Sequence, residues 1–589
     1  MEQEKMRLWN VVIPWGAAQG AIVLRRVSNC SFPRQPKVDR PVHAPAYLEA
    51  YELMEENADM IFDPRDMMSE RAYDSTSVSR GNSTGQPHPA SDLPGPRAWP
   101  IVGCLPYMLR HPAFDPDRVY VFWQAVRDEF GPTFRKDMPG HSQLVFITQP
   151  EDLETLLRTT LYNPLRPAMA SLKRVRSDGG ADGRHHAHDH IFQGRAGILA
   201  EQEEEWWRVR RVVQRPLTAS PLVAQYLPEM DDVAKDFVAR IRALRDQQSG
   251  EVPETFNTEL YKWSLESLGT IALNRRLGCL QQQKHEEAHE NSGGGDEGEL
   301  HPLRLIRLAK QLLGALHETE NVKLWKYFPT TSIMRLQEAH QVFTDVALQA
   351  IQATEQQEAA RQRQGEDGVI PSTSLLGMLL ATPQLSREDV LTFILDLIAT
   401  GIDTTSHAVG NLLYLLARHP HVQRRVHEEV IREVGRPQHL LPEHLTALTY
   451  TKAVFRESLR LMPVNVGIVR TLTCDTVLGG YHVPRGWEVV APTMLLNHRE
   501  DVFPRAKEFL PERFLRGSPW APRHNFGFLP FSYGPRMCIG RKIAYQEIFC
   551  FIIRVLGEMH VDYKYQDIHL VNRLSYGPSS PLRFTFTDR

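Results

Sequence analysis

Cysteine is scarce. The 589 residues carry six, at positions 30, 104, 279, 474, 538 and 550, and no two form a Cys-x-x-Cys pair. That usage argues against a disulfide framework and against a closed zinc site. Charge of one sign is not in excess either: 68 Lys and Arg stand against 71 Asp and Glu, a net of −3. A nucleic-acid-binding surface, which would be strongly basic, is therefore not expected. Beyond residue 24 no run is apolar enough to span a bilayer. There is no internal repeat, and strand candidates are few: Leu144–Thr148, Thr476–Val483 and Leu582–Thr587. Amphipathic helical periodicity is abundant, for example over Met230–Leu244, Phe343–Arg361 and Val390–Arg418, and it predicts a mainly α body with minor β.

Acids are missing from Lys5 to Lys37, where Lys5, Arg7, Arg25, Arg26, Arg34 and Lys37 are interspersed with apolar residues. Residues 1–38 read as a mitochondrial presequence. The rival reading is a membrane anchor over Leu8–Leu24, but Asn10, Pro14 and Gln19 interrupt that run. It also falls short of the roughly 20 apolar residues of a spanning helix. Residues 39–93 read as a flexible linker, because the stretch Arg65–Pro96 is rich in Ser, Gly, Pro and charge without a hydrophobic period. The folded body is expected over 94–589, entered through Pro94, Pro96 and Pro100. Within it, Arg184–His190 holds imidazoles and a carboxylate suited to a metal. It lies beside Gly179, Gly180 and Gly183 with no helical spacing and reads as a solvated loop, as does the low-complexity segment 281–299.

The informative stretch is residues 530–547, Pro-Phe-Ser-Tyr-Gly-Pro-Arg-Met-Cys-Ile-Gly-Arg-Lys-Ile-Ala-Tyr-Gln-Glu. Cys538 closes a loop shaped by Gly and Pro and opens a helix expected from about Ile539 to Leu556. A thiol at a helix N-terminus favours the thiolate. Gly534 and Gly540 permit tight geometry and close approach of a planar group. Arg536 offers a fork of donors to a carboxylate. A lone thiolate without a second sulfur or a partner histidine is not a zinc site, and no Cys-His-Asn order surrounds it. Axial ligation of haem iron suits it best; on Cys538 alone, an inert buried cysteine would serve as well.

The full pattern Phe-x-x-Gly-x-Arg-x-Cys-x-Gly, from Phe531 to Gly540, resembles the haem-binding loop of the cytochrome P-450 family. Further elements follow that family's pattern. Glu457 and Arg460 stand at i, i+3 on a helix, and Pro511-Glu-Arg-Phe514 carries Arg513 as their implied partner. Thr400-Gly-Ile-Asp-Thr-Thr-Ser406 lies inside a long apolar helix, and the resemblance assigns Asp403 and Thr404 to proton delivery. The family usually has Ala or Gly where this chain has Thr400. Glu205-Trp-Trp-Arg-Val-Arg210 resembles the family's Trp-x-x-x-Arg helix; alignment on the Glu favours Trp206 with Arg210, and Trp207 with Arg211 obeys the same spacing. Arg470 looks like another haem-propionate contact.

The resemblance spans residues 94–589 and implies the cytochrome P-450 fold, haem b, and a haem-thiolate monooxygenase acting on a small apolar substrate with O2. Cofactor binding is implied for Trp206, Arg210, Arg470, Phe531, Arg536, Cys538 and Gly540, with Cys538 on the metal. Lys452 and Arg456, at i, i+4, and Arg541-Lys542 match the basic positions at which mitochondrial members dock a ferredoxin. The implied electron source is thus an adrenodoxin-like ferredoxin fed by an NADPH–ferredoxin reductase. Arg276-Leu-Gly-Cys-Leu280 and Leu324-Trp-Lys-Tyr-Phe-Pro-Thr330 are similar to arthropod mitochondrial members. The expected location is the matrix side of the mitochondrial inner membrane, peripherally associated; the alternative is the endoplasmic reticulum membrane. Two other functions share the motif: a haem-thiolate isomerase or dehydratase without O2 activation, and a non-catalytic haem-binding module.

Overall fold

The computed structural model describes residues 86–138, 143–167, 169–176, 191–281, 302–321, 323–363 and 374–589. The expected presequence, the linker as far as residue 85, the His-rich segment 184–190 and residues 282–299 lie outside the described residues. The chain joins the fold a few residues before position 94. His88–Pro89 form strand β1, and Leu93 is buried.

Ten α-helices of eleven residues or more occur among the described residues: α1 Val119–Phe130, α2 Glu203–Val213, α3 Leu227–Leu244, α4 Phe256–Ala272, α5 Pro302–Asn321, α6 Thr331–Arg363, α7 Arg387–Arg418, α8 Pro420–Glu433, α9 Thr449–Leu461 and α10 Arg541–Glu558. Helix α7 is the axis. Phe393, Ile394, Ile402, Val409, Leu412 and Leu416 bury successive turns on several sides of it. A helix that is apolar nearly all round belongs in the interior, and α7 packs along α4 while also meeting α5, α6, α9 and α10. Its start is set by a capping box in which the Ser386 hydroxyl accepts from the Asp389 amide at 3.2 Å and the Asp389 carboxylate accepts from the Ser386 amide at 2.9 Å.

The strands are short and sit at the edges of this helical body. Thr133–Lys136 (β2), Leu144–Ile147 (β3), Gly467–Thr471 (β4) and Glu488–Pro492 (β7) form a sheet in the order β2-β3-β7-β4, with only β3 and β7 parallel. Alternation along β4 turns Ile468 and Arg470 to the same, buried face. The single strand expected over Thr476–Val483 is a hairpin of Thr476–Leu478 (β5) and Tyr481–Val483 (β6), which pairs with β1. Gly479 and Gly480 turn it with φ of 57° and 84°. A β-carbon on Gly479 would stand 2.2 Å from the Thr133 hydroxyl, so the turn tolerates no side chain. Met559–Asp562 (β8) pairs with Thr585–Asp588 (β11), and Leu570–Asn572 (β9) with Tyr576–Pro578 (β10). Strand β11 begins three residues later than expected, because the Leu582 amide is engaged by the Asn257 side chain.

The α9 helix is tied to the 511–514 turn by a fully buried triad. Arg460 grips Glu457 with two bonds of 2.8 and 2.7 Å, and Arg513 reaches the same carboxylate at 3.0 Å. The remaining guanidinium donors meet the carbonyls of Asn497, Ala506, Glu508, Pro504, Trp520 and Arg505. Every charge is thus paired and every fork is satisfied, the condition under which a buried ion triad is tolerable. Removing the carboxylate leaves two guanidiniums uncompensated, at a cost of about 3–5 kcal/mol. Glu457→Ala is expected to lose that much stability to urea, followed by tryptophan fluorescence; a loss below about 1 kcal/mol, typical of a surface pair, would contradict this.

Candidate active site

The loop from Phe531 to Gly540 is shaped by two left-handed residues, Ser532 at φ 65° and Gly534 at φ 72°. It is closed by the Cys538 amide, which donates to the Phe531 carbonyl at 2.9 Å. The Phe531 ring lies 5.4 Å from that of Tyr545 on α10. Cys538 is exposed although Arg536 and Ile539 beside it are buried. Gly540 has an ordinary φ of −82°, and nothing lies within 4 Å of where its β-carbon would stand. Its use is therefore room beside the sulfur, not backbone freedom.

The thiol's electrostatics differ from the sequence expectation. Helix α10 begins at Arg541, three residues after the cysteine. Although the sulfur is accessible, the protein surrounding it desolvates the thiolate and pushes the Cys538 thiol up, and the Gly540 amide and the charges of Arg210 and Arg541 only partly oppose it. A stable thiolate here needs a positive centre against the sulfur.

Four guanidiniums converge on this loop. Arg210 on α2 donates to the Met537 carbonyl at 2.7 Å, and its Nε has no partner among the described residues. Arg470 on β4 reaches the Ser532 hydroxyl at 3.3 Å. Arg166 donates to the Leu199 carbonyl at 3.3 Å. Arg536 lies 3.8 Å from the Trp206 ring centre and bonds the carbonyls of Pro164, Ile198 and Glu201 and the Gln202 side chain. Most of its fork is therefore spent on the protein, contrary to the free fork expected from its place in the motif. Burial pulls Arg210 and Arg470 down to about 10. It also pulls down Arg166, and lowers Arg536 furthest, with the charges of Arg166, Arg470 and Arg210 adding to the effect. Among the described residues the carboxylate that acts on the cluster is Asp396, through Arg166, and it is already paired with Arg176 at 2.8 Å. Four cations short of anions among the described residues, three of them buried and Arg166 half-buried, are the donor set for a ligand bearing carboxylates at one edge.

The two Trp/Arg registers are placed differently. Trp206, Trp207 and Arg210 are buried, while Arg211 is exposed. Arg166 has no sequence signal beyond one basic residue between Pro164 and Pro167, and only its position in the fold brings it to the site.

On α7, Thr404 is exposed and its hydroxyl donates to the Thr400 carbonyl at 2.7 Å. Thr400 does the same to Asp396 at 2.8 Å, so both hydroxyls fold back onto their own helix. Asp403 is buried, and its carboxylate accepts from the hydroxyls of Tyr261 and Ser575. Among the described residues no hydrogen bond joins Asp403 to Thr404. Gly401 lets Leu268 of α4 approach to 3.1 Å from its β-carbon position.

The expected basic face is smaller than four residues. Lys542 is buried and donates to the Ser220 hydroxyl at 2.9 Å, because the first turn of α10 packs against the segment that follows α2. Arg456 is half-buried, with its guanidinium 4.4 Å from the Phe514 ring centre. Lys452 and Arg541 remain partly accessible, Lys452 donating to the Thr446 carbonyl at 2.8 Å.

Comparison with known proteins gives a family and relatives. The Cytochrome P450 family model matches residues 93–581. The chain is 30% identical over 521 residues to "Probable cytochrome P450 49a1" of Drosophila melanogaster, covering 85% of this chain and 83% of that one. It is 30% identical over 520 residues to that organism's "Probable cytochrome P450 301a1, mitochondrial", covering 85% and 87%. To "Cytochrome P450 CYP12A2" of Musca domestica it is 31% identical over 480 residues, covering 79% and 85%.

Proposed function

This chain belongs to the cytochrome P450 family and is a haem b monooxygenase, and from that premise we propose that it works in the mitochondrion, on the matrix side of the inner membrane, drawing electrons from a ferredoxin. The substrate is a small apolar molecule, a steroid, lipid or xenobiotic. The overall conversion takes one substrate C–H bond, O2, two electrons and two protons to an alcohol and water. One observation carries the reading: an accessible sulfur on a closed loop beside four arginines, three buried and one half-buried, that are short of carboxylate partners among the described residues.

Cys538 would ligate the iron, Arg210, Arg470, Arg166 and the one remaining Nη1 donor of Arg536 would hold the propionates, and Trp206 stacks on Arg536. The buried Arg210 supports the 206/210 register. When bound, thiolate-ligated haem supplies the activation of O2. The chain itself excludes water with the apolar body of α7, and Asp403 and Thr404 would deliver protons to bound oxygen. Glu457, Arg460 and Arg513 hold α9 in place. Mitochondrial relatives support the location. The ferredoxin, fed by an NADPH-dependent reductase, meets the face bearing Lys452, Arg456 and Arg541. Exposed Trp99, Ile101 and Val102, and Leu324, Tyr327 and Phe328 beside Lys323 and Lys326, support peripheral contact with a membrane. No helix among the described residues is long and apolar enough to cross one.

Cys538→Ala is expected to abolish the thiolate-type spectrum of the ferrous carbon monoxide complex; its retention contradicts the ligand assignment. Lys452→Glu is expected to slow ferredoxin-driven turnover about tenfold at low salt, as loss of electrostatic steering does, while peroxide-driven turnover changes little. Equal losses under both conditions contradict the docking face.

A further inference from the structure

The carboxylate of Asp403 is part of a closed polar ring that no motif identifies. Tyr261 of α4 and Ser575, in the turn between β9 and β10, donate to its two oxygens. His407, one turn further along α7, lies against both donors. Its Nε2 is 3.1 Å from the Tyr261 hydroxyl, and its Nδ1 is 3.2 Å from the Ser575 hydroxyl and 3.5 Å from Asp403 Oδ2. The ring is tightly enclosed, since a β-carbon on Gly577 would stand 2.6 Å from the imidazole. It is not sealed: the His407 side chain retains 15% exposure. Solvent-exposed cations approach from two other elements. Lys310 of α5 has its ammonium 4.3 Å from the Tyr261 ring centre, and Arg573 lies in the same turn as Ser575.

We propose that His407 is a proton-relay residue for O2 activation, reloading Asp403 through Ser575 and Tyr261 each time Asp403 gives a proton up toward Thr404. This rests on the monooxygenase reading above and deepens it. Imidazole suits the task because it can accept a proton at one nitrogen while releasing one from the other. In the Nδ1–H tautomer the ring takes a proton from water at Nε2 while Nδ1 gives one to Ser575, whose own proton passes to Asp403; in the Nε2–H tautomer so produced it takes one from water at Nδ1 while Nε2 gives one to Tyr261, whose own proton passes to Asp403. Each hydroxyl regains what it gives, each pair of transfers restores the ring, and no electron moves. The groups facing the imidazole are Asp403 on its own helix, Tyr261 on α4, Lys310 on α5, and Ser575 and Arg573 in the β9–β10 turn. Burial, Arg573 and Lys310 favour the neutral ring, and Asp403 opposes them, so the ring passes protons on rather than storing one.

The test compares the native holoenzyme with His407→Gln, which keeps a hydrogen-bonding side chain but cannot exchange protons in this way. With ferredoxin, its reductase and NADPH, product formed per NADPH consumed is expected to fall roughly tenfold, with a larger solvent deuterium isotope effect. Peroxide-driven turnover, which arrives with its protons, is expected to stay within about twofold. Ser575→Ala should repeat the loss and Ser575→Thr should restore it. Independently of turnover, nitrogen NMR of labelled histidine in the diamagnetic ferrous carbon monoxide complex should show His407 titrating at lower pH in Asp403→Asn, because a carboxylate that favours the imidazolium has been removed. Unchanged yield and isotope effect in His407→Gln, equal losses with NADPH and peroxide, or an unmoved titration would each overturn the inference while leaving the monooxygenase reading intact. Failure of the native holoenzyme to form product under either drive would overturn that reading and this inference together.

Discussion

Everything at this site depends on an imbalance of charge. Arg166, Arg210, Arg470 and Arg536 come from three segments and from the cysteine loop itself, and they stand together in the interior with Asp396, itself committed to Arg176, as the carboxylate that reaches them. Isolated buried cations are costly, and proteins usually pair them or leave them out. Keeping four of them organises the interior around a ligand whose negative groups arrive with it. The same logic governs the sulfur: desolvation by the surrounding protein raises Cys538 beyond what Gly540, Arg210 and Arg541 can offset, so anion and cation sites both call for a partner of opposite sign. A metalloporphyrin carrying two carboxylates would be that partner in a single molecule.

The contrast with the Glu457 triad is instructive. There one carboxylate is shared by both guanidiniums, and every guanidinium nitrogen finds a carbonyl or carboxylate within the chain. One cluster is closed and holds the fold; the other is open, and we propose that it holds the cofactor. The triad's helix α9 meets α10, which follows the cysteine loop, through Phe455 against Tyr545 and Phe549.

What could be read from the sequence was local. The cysteine loop, the i, i+3 pair of Glu457 and Arg460, and the polar interruption of α7 each declare themselves within ten residues, and the helices over 230–244, 343–361 and 390–418 follow from period alone. What could not be read was convergence over long separations. Tyr261 and Ser575 meet Asp403 across 142 and 172 residues, and Arg166 is one basic residue between prolines. Solvent exposure was the other blind spot. Lys542 follows Arg541 in an apparently basic pair, yet the packing of α10 against residues 215–224 turns it inward. Likewise the strand expected over 476–483 reads as continuous until Gly479 is seen against Thr133.

The claim that the arginine cluster is completed by the carboxylates of its cofactor can be tested without altering the protein. Haem-free protein would be titrated with iron protoporphyrin IX and, separately, with its dimethyl ester, which keeps the iron and the ring but removes both negative charges. Following the Soret band, the account predicts tight binding of the acid and binding at least about tenfold weaker for the ester, as expected when several charge-assisted hydrogen bonds are lost. Equal affinity for the two porphyrins would contradict it.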